Sequence, residues 1–144
     1  MSVPELIAEA RKQGRTALDE FSGKKLLASF GVAVPRSLVV QDANEAEKVC
    51  GKLSPPLALK VISPDLLHKS DAGGVKIGLK SAGEVEAAIR AMMKLPTIVG
   101  ARIDGFLLEE MAPAGQEVVI GGLRDPQFGP LVMVGLGGIF VEVL

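Results

Sequence analysis

At 144 residues, with 48% hydrophobic and 23% charged residues and a formal net charge of −1, the chain has the size and balance of one globular domain able to bury a core. There is no basic excess, no Trp, no Tyr and only five Phe, which argues against nucleic acid as a main partner, since phosphates call for clustered cations and bases for aromatic faces. No stretch approaches the ~20 apolar residues of a membrane span, the N-terminus lacks the apolar run of a signal peptide, and the single Cys50 allows no disulfide framework, so a cytoplasmic protein is expected.

The first segment, VPELIAEARKQG, repeats apolar residues at helical spacing and stops at Gly14. The next, ALDEFSGKKLLASFG, reads as a second helix with Leu18, Phe21, Leu26, Leu27 and Phe30 on one side and Gly31 at its end. Pro35 introduces a short strand, RSLVV, after which Asp42 is an N-cap for the helix ANEAEKVCGKL. LALKVI is a buried strand and GGVKIGL its neighbour beyond a loop. Ser81 caps AGEVEAAIRAMMKL, whose Val85, Ala88, Ile89, Met92 and Met93 form an apolar face. From Gly105 the character changes to strand-like segments, FLLEEM, QEVVIGGL, PLVMVGL and GIFVEVL, separated by turn residues. The expected organisation is therefore α/β (α+β) in two lobes, residues 1–104 and 105–144. Leu144 ends an apolar, strand-like run, so the second lobe is expected to be truncated and the sequence to be part of a longer protein.

Three local patterns carry chemistry. Lys60 interrupts an otherwise apolar strand, where an unpaired ammonium is costly, so it must meet an anion or water. The loop that follows, HKSDAGGV, holds the only histidine, His68, and the pair Gly73-Gly74. Successive glycine N–H groups can approach phosphate, and a plain turn between two strands accounts for the same residues. LLEEMAPAGQE places Glu109 and Glu110 at a strand end and Glu117 at the start of the next; such carboxylates suit ribose hydroxyls, or simply a solvated strand end.

In this order, ALDEFSGKKLLASFGVAVPRS, LALKVISPDLLHKSDAGGVKIGL and LLEEMAPAGQEVVIGGLRDPQFGPLVMVGLGGIFVEVL resemble the ATP-grasp domain of NDP-forming acyl-CoA synthetases, over roughly residues 16–144. In that family the domain forms the β part of ADP-forming acetate–CoA ligases, and the layout is more distantly similar to the succinyl-CoA synthetase β subunit. The resemblance implies an ATP-grasp fold and a set of roles. Lys60 corresponds to the strand lysine on nucleotide phosphates, and Gly73, Gly74 and Val75 to the loop that closes over them. Glu109, Glu110 and Met111 correspond to the hinge whose backbone reads adenine, and Glu117 to the acidic residue on the ribose. His68 corresponds to the histidine that carries phosphate; a neutral imidazole is nucleophilic near pH 7, and its phosphoramidate can pass phosphate to ADP reversibly. Lys69 and Asp71 beside it would offset charge and orient the ring, or serve only as solvated loop residues.

The implied cofactors are ATP or ADP with Mg²⁺, whose ligands are expected beyond the chain end, so no residue here is assigned to metal. The implied partners are the nucleotide and a CoA-binding domain or subunit. The implied activity is that of an acid–CoA ligase (ADP-forming) in the full-length parent, with the fragment alone inactive. Two further readings stay open: an ATP-grasp carboxylate–amine ligase, against which HKSD speaks, and a non-catalytic nucleotide-sensing module within a fused protein acetyltransferase. Asp125 is read as shaping the RDPQFG turn.

Overall fold

The computed structural model describes residues 2–66 and 69–137. The chain divides into two compact units, Met1–Ala112 and Pro113–Leu144.

The first unit contains four α-helices and a four-stranded sheet. Its elements are α1 (Val3–Lys12), α2 (Glu20–Ser29), β1 (Ser37–Val40), α3 (Ala43–Val49), β2 (Leu57–Ile62), β3 (Val75–Leu79), α4 (Ala82–Met92) and β4 (Gly105–Glu110), with a short 3₁₀ turn at Cys50–Lys52. The strands lie in the order β1-β4-β2-β3, with every neighbour antiparallel. Helix starts follow the sequence: Asp42 accepts from the Glu45 N–H at 2.8 Å and Ser81 from the Glu84 N–H at 3.2 Å.

Strand β2 is central, which explains its continuous apolar run. Leu57, Leu59 and Val61 are fully buried and join Val85, Ile89 and Met92 of α4 and Ala43 and Ala46 of α3 in one core. Met93, placed on that apolar face from the sequence, is instead 46% exposed just past the end of α4. The alternate side chains of β2 are Ala58, Lys60 and Ile62, and across the ladder Ala58 faces Glu109 and Lys60 faces Leu107. Lys60 and Glu109 are thus diagonal neighbours on one sheet face, within reach of long side chains.

Helix α2 departs from its expected apolar face. It begins at Glu20, after Leu18, and buries none of its residues; Leu27 is 46% exposed and Phe30, its C-cap, 72%. The change of character at Gly105 coincides with the start of β4. β4 pairs with β1 and β2 inside the first unit, and the compact units divide after Ala112. Gly105 sits at φ +138°, where an added Cβ would lie 2.9 Å from the Val40 carbonyl oxygen; only glycine admits that approach at the start of β4.

Among the described residues, the second unit forms an antiparallel hairpin of β5 (Val118–Asp125) and β6 (Gly129–Leu136), paired from Val118↔Leu136 to Asp125↔Gly129. Asp125 Oδ1 accepts the N–H groups of Gln127 and Phe128 at 2.8 and 2.9 Å, so it shapes the RDPQFG turn as expected. The segment GIFVEVL, read as a further strand, lies outside the described residues.

Candidate functional site

The strand lysine finds two carboxylates. Lys60 Nζ lies 2.5 Å from Glu20 Oε1 and 3.3 Å from Glu109 Oε1. Lys24 completes the figure: its Nζ is 2.8 Å from Glu20 Oε1 and also donates to Glu109 Oε2. Lys24, Glu20, Lys60 and Glu109 therefore form a closed ring of alternating charge joining α2, β2 and β4. Lys69 stands at its margin, with Nζ 4.0 Å from Glu20 Oε2.

The ring's members are unequally held. Glu109 is the only buried charged residue among those described, its side chain 6% exposed on a central strand. Glu20 is 27% exposed and stands on the helix without buried residues. Partial burial, the largest single influence, pushes the Glu20 carboxyl up, but hydrogen bonds and charge from Lys24 and Lys60 together outweigh it and leave the group below its ordinary value. For Lys60 burial pulls downward, and Glu20 and Glu109 more than offset it, so its ammonium is held above the ordinary value. The four-membered ring is charge-balanced, and Lys69 at its margin adds one further ammonium at a partly open surface.

Beside the ring runs a groove of about 510 Å³, lined among others by Arg15, Asp19, Glu20, Ser63, Asp65 and Lys69. The loop above it is tied at both ends. Asp65 Oδ2 accepts the Arg102 N–H at 2.7 Å, and Thr97 Oγ1 donates to the Ala72 carbonyl at 2.6 Å. Its glycines serve the turn itself: the N–H of Gly73 bonds to Ser70 O at 3.1 Å and that of Gly74 to Lys69 O at 2.7 Å. Gly73 sits at φ +75°, and a Cβ on Gly74 would lie 2.5 Å from Val61 Cγ1, so both positions need glycine for packing. In this arrangement these two N–H groups point into the loop, and meeting a phosphate would require the loop to open. Val75 begins β3 opposite Lys60. His68 lies outside the described residues.

The other sequence candidates fall in two places. Glu110 and Met111 end the first unit, with their N–H groups spent on Arg36 O at 3.0 Å and Pro56 O at 3.2 Å; the Glu110 carboxylate meets the Ser54 N–H at 2.8 Å. Glu117 precedes β5 in the second unit, is exposed, and takes the Gly137 N–H on its carbonyl at 3.0 Å. The structure thus joins Lys60 to Glu109, and it adds Glu20 and Lys24, which the sequence reading had absorbed into a helix. The available signal was their i,i+4 spacing, a Glu-to-Lys pair on one helix face. Among the described residues no group of three or more His, Cys, Asp or Glu side chains could hold a metal ion, and no helix is long and apolar enough to cross a membrane.

Residues 9–144 match the family described as ATP-grasp domain. The chain is 43% identical over 142 residues to the "Acetate--CoA ligase [ADP-forming] I subunit beta" of Pyrococcus furiosus, covering 97% of this chain and 61% of that protein. Among solved structures it resembles the dinucleotide forming Acetyl-coenzyme A synthetase 1 of Ca. Korarchaeum cryptofilum in complex with coenzyme A, Ca-AMPCP and HgCl+. The TM-score is 0.91 at 42% identity, over 99% of this chain and 63% of that one. The same synthetase with coenzyme A and Mg-AMPPCP, its phosphohistidine segment pointing towards the nucleotide binding site, matches at TM-score 0.81 and 41% identity, over 99% and 60% of the two chains. The chain thus spans about three fifths of the length of these relatives.

Proposed function

From the premise that this chain belongs to the ATP-grasp domain family, we propose that it is the nucleotide-binding portion of an ADP-forming acid–CoA ligase. The parent would interconvert acyl-CoA, ADP and phosphate with acid, CoA and ATP. The observation that carries this reading is Lys60, a cation on a buried central strand, set in a charge-balanced ring with a further cation, Lys69, at its margin. A polyphosphate supplies the anionic oxygens that such a lysine can exchange for carboxylates. Similarity to a synthetase solved with coenzyme A and the adenine-nucleotide analogues AMPCP and AMPPCP supports the same ligand class.

In this reading Lys60 holds the phosphates, the loop at Gly73, Gly74 and Val75 opens and recloses over them, Glu109, Glu110 and Met111 lie at the adenine side, and Glu117 takes the ribose. His68 carries the phosphoryl group supplied by a CoA-binding partner domain or subunit. A β-phosphate oxygen of ADP attacks phosphorus, the P–O bond forms, and the P–N bond breaks with its electron pair returning to the imidazole nitrogen. Mg²⁺ would accompany the nucleotide's phosphates. The described residues offer no carboxylate cluster to hold it, and no step here depends on it.

The test separates holding from transfer. Lys60→Ala in the full-length parent should weaken ADP binding by about 1.5–3 kcal/mol, one charge-assisted contact. His68→Ala should leave ADP binding nearly intact and abolish ATP formation from acyl-CoA, ADP and phosphate. Wild-type ADP affinity in Lys60→Ala, or full ATP synthesis by His68→Ala, overturns the role concerned.

A further inference from the structure

Glu20 and Lys24 belong to none of the roles assigned above, yet they make half of the charged ring. Lys24 Nζ meets the same Glu20 oxygen as Lys60, at 2.8 against 2.5 Å, and both lysines share the Glu109 carboxylate. Each ammonium has three N–H donors and spends two on these carboxylates, so each keeps one for a further acceptor. The two carboxylates differ in freedom. Glu109 is fixed on a central strand and 6% exposed, whereas Glu20 is 27% exposed on a helix that buries no residue. A competing polyanion would displace Glu20 first.

We infer that Lys24 is a second polyphosphate-binding lysine acting beside Lys60, and that Glu20 is the internal anion both lysines exchange for phosphate oxygens when the ligand arrives. This rests on the nucleotide reading of the Lys60 site and extends it to two residues of α2. Glu20 then serves two ends. Without ligand it supplies the second carboxylate that balances two partly buried ammoniums sharing Glu109, and with ligand it is released towards Lys69, 4.0 Å from its other oxygen. Glu109 stays in place and keeps the two lysines a fixed distance apart.

The experiment measures tripolyphosphate and ADP binding to the full chain by calorimetry. Lys24→Met and Lys60→Met should each weaken tripolyphosphate binding about tenfold, the loss of one charge-assisted bond. Lys24→Arg should stay within a few-fold of wild type, since it keeps the charge. Glu20→Gln should tighten binding a few-fold, because the competing anion is gone. Lys25→Met is the control: Lys25 lies on the same helix, over the Phe21 ring at 4.2 Å and outside the charged ring, and should change nothing. If Lys60→Met weakens binding and Lys24→Met does not, this inference fails and the nucleotide reading stands. If Lys60→Met has no effect either, both fail. If Glu20→Gln weakens binding, Glu20 supports the site and is not its placeholder. Should Lys24→Met not fold, amine-reactive labelling of the unmodified chain decides. Tripolyphosphate should protect Lys24 and Lys60 but not Lys25, and an unprotected Lys24 overturns the proposal.

Discussion

At the scale of the residue, one lysine on a buried strand governs the arrangement around it. Lys60 cannot sit on β2 without counter-charge, and the fold supplies two carboxylates from 40 and 49 positions away in the chain. The resulting shifts have a consequence in pH. Glu20 is held below its ordinary 4.5, so the stability it contributes is present above about that pH and is lost as pH falls through its folded value. Lys60 is held above its ordinary 10.5, so its contribution is present below that pH and lost as pH rises through the folded value. Urea unfolding of Glu20→Gln should therefore show lower stability than wild type at pH 7 and a smaller loss on going below pH 4.5. Parallel acid profiles for the two proteins would remove Glu20 from the charged ring. Stability and polyphosphate affinity are expected to move in opposite directions in this variant, which a merely structural carboxylate would not do.

At the scale of the element, α2 and α4 are helices of similar length held by different forces. α4 buries Val85, Ile89 and Met92 in the core, whereas α2 has no fully buried residue, only half-burying Phe21 and Leu26, and pairs with the sheet through Lys24–Glu109 and Glu20–Lys60. Apolar burial is indifferent to moderate salt, while partly exposed ion pairs are screened by it. Amide hydrogen exchange should accordingly be faster in α2 than in α4, and raising NaCl from low to molar concentration should speed exchange in α2 and leave α4 nearly unchanged. Equal protection at both salt levels would show that α2 has an apolar anchor. Its N-terminus is secured locally, since Asp19 accepts the Ser22 N–H at 2.9 Å, so the salt effect should appear throughout the helix rather than as fraying of the first turn.

At the scale of the molecule, the two compact units differ in what sustains them. Met1–Ala112 contains the four-stranded sheet and its packed helices around one core. In Pro113–Leu144 the described strands are a single hairpin, and an isolated two-stranded hairpin is marginal in water. Residues 1–112 expressed alone should fold cooperatively, with dispersed amide resonances and a single thermal transition. Residues 113–144 alone should show neither. A disordered 1–112 would mean that its sheet depends on the hairpin.

How far this was legible beforehand follows from the range of the forces involved. Caps at Asp42 and Ser81, the helical spacing of α4, the apolar run of β2 with its lysine, and the Asp125 turn all act over a few residues, and each could be read from neighbours in sequence. The order of HKSDAGGV after LALKVI and before LLEEM was likewise enough to indicate the family that the comparisons show. The charged ring was not legible. Its contacts span 40, 49 and 85 positions, and Glu20 and Lys24 look like any surface i,i+4 pair until β4 is laid between β1 and β2. The same strand order placed Gly105 inside the first sheet, while α2 only half-buries Phe21 and Leu26. Local chemistry determined which residues could carry charge, turn or cap; only the tertiary structure decided which of those charges would meet, because the antiparallel sheet order sets Lys60 beside Glu109 and the packing of α2 on that sheet brings Glu20 and Lys24 to them from distant parts of the chain.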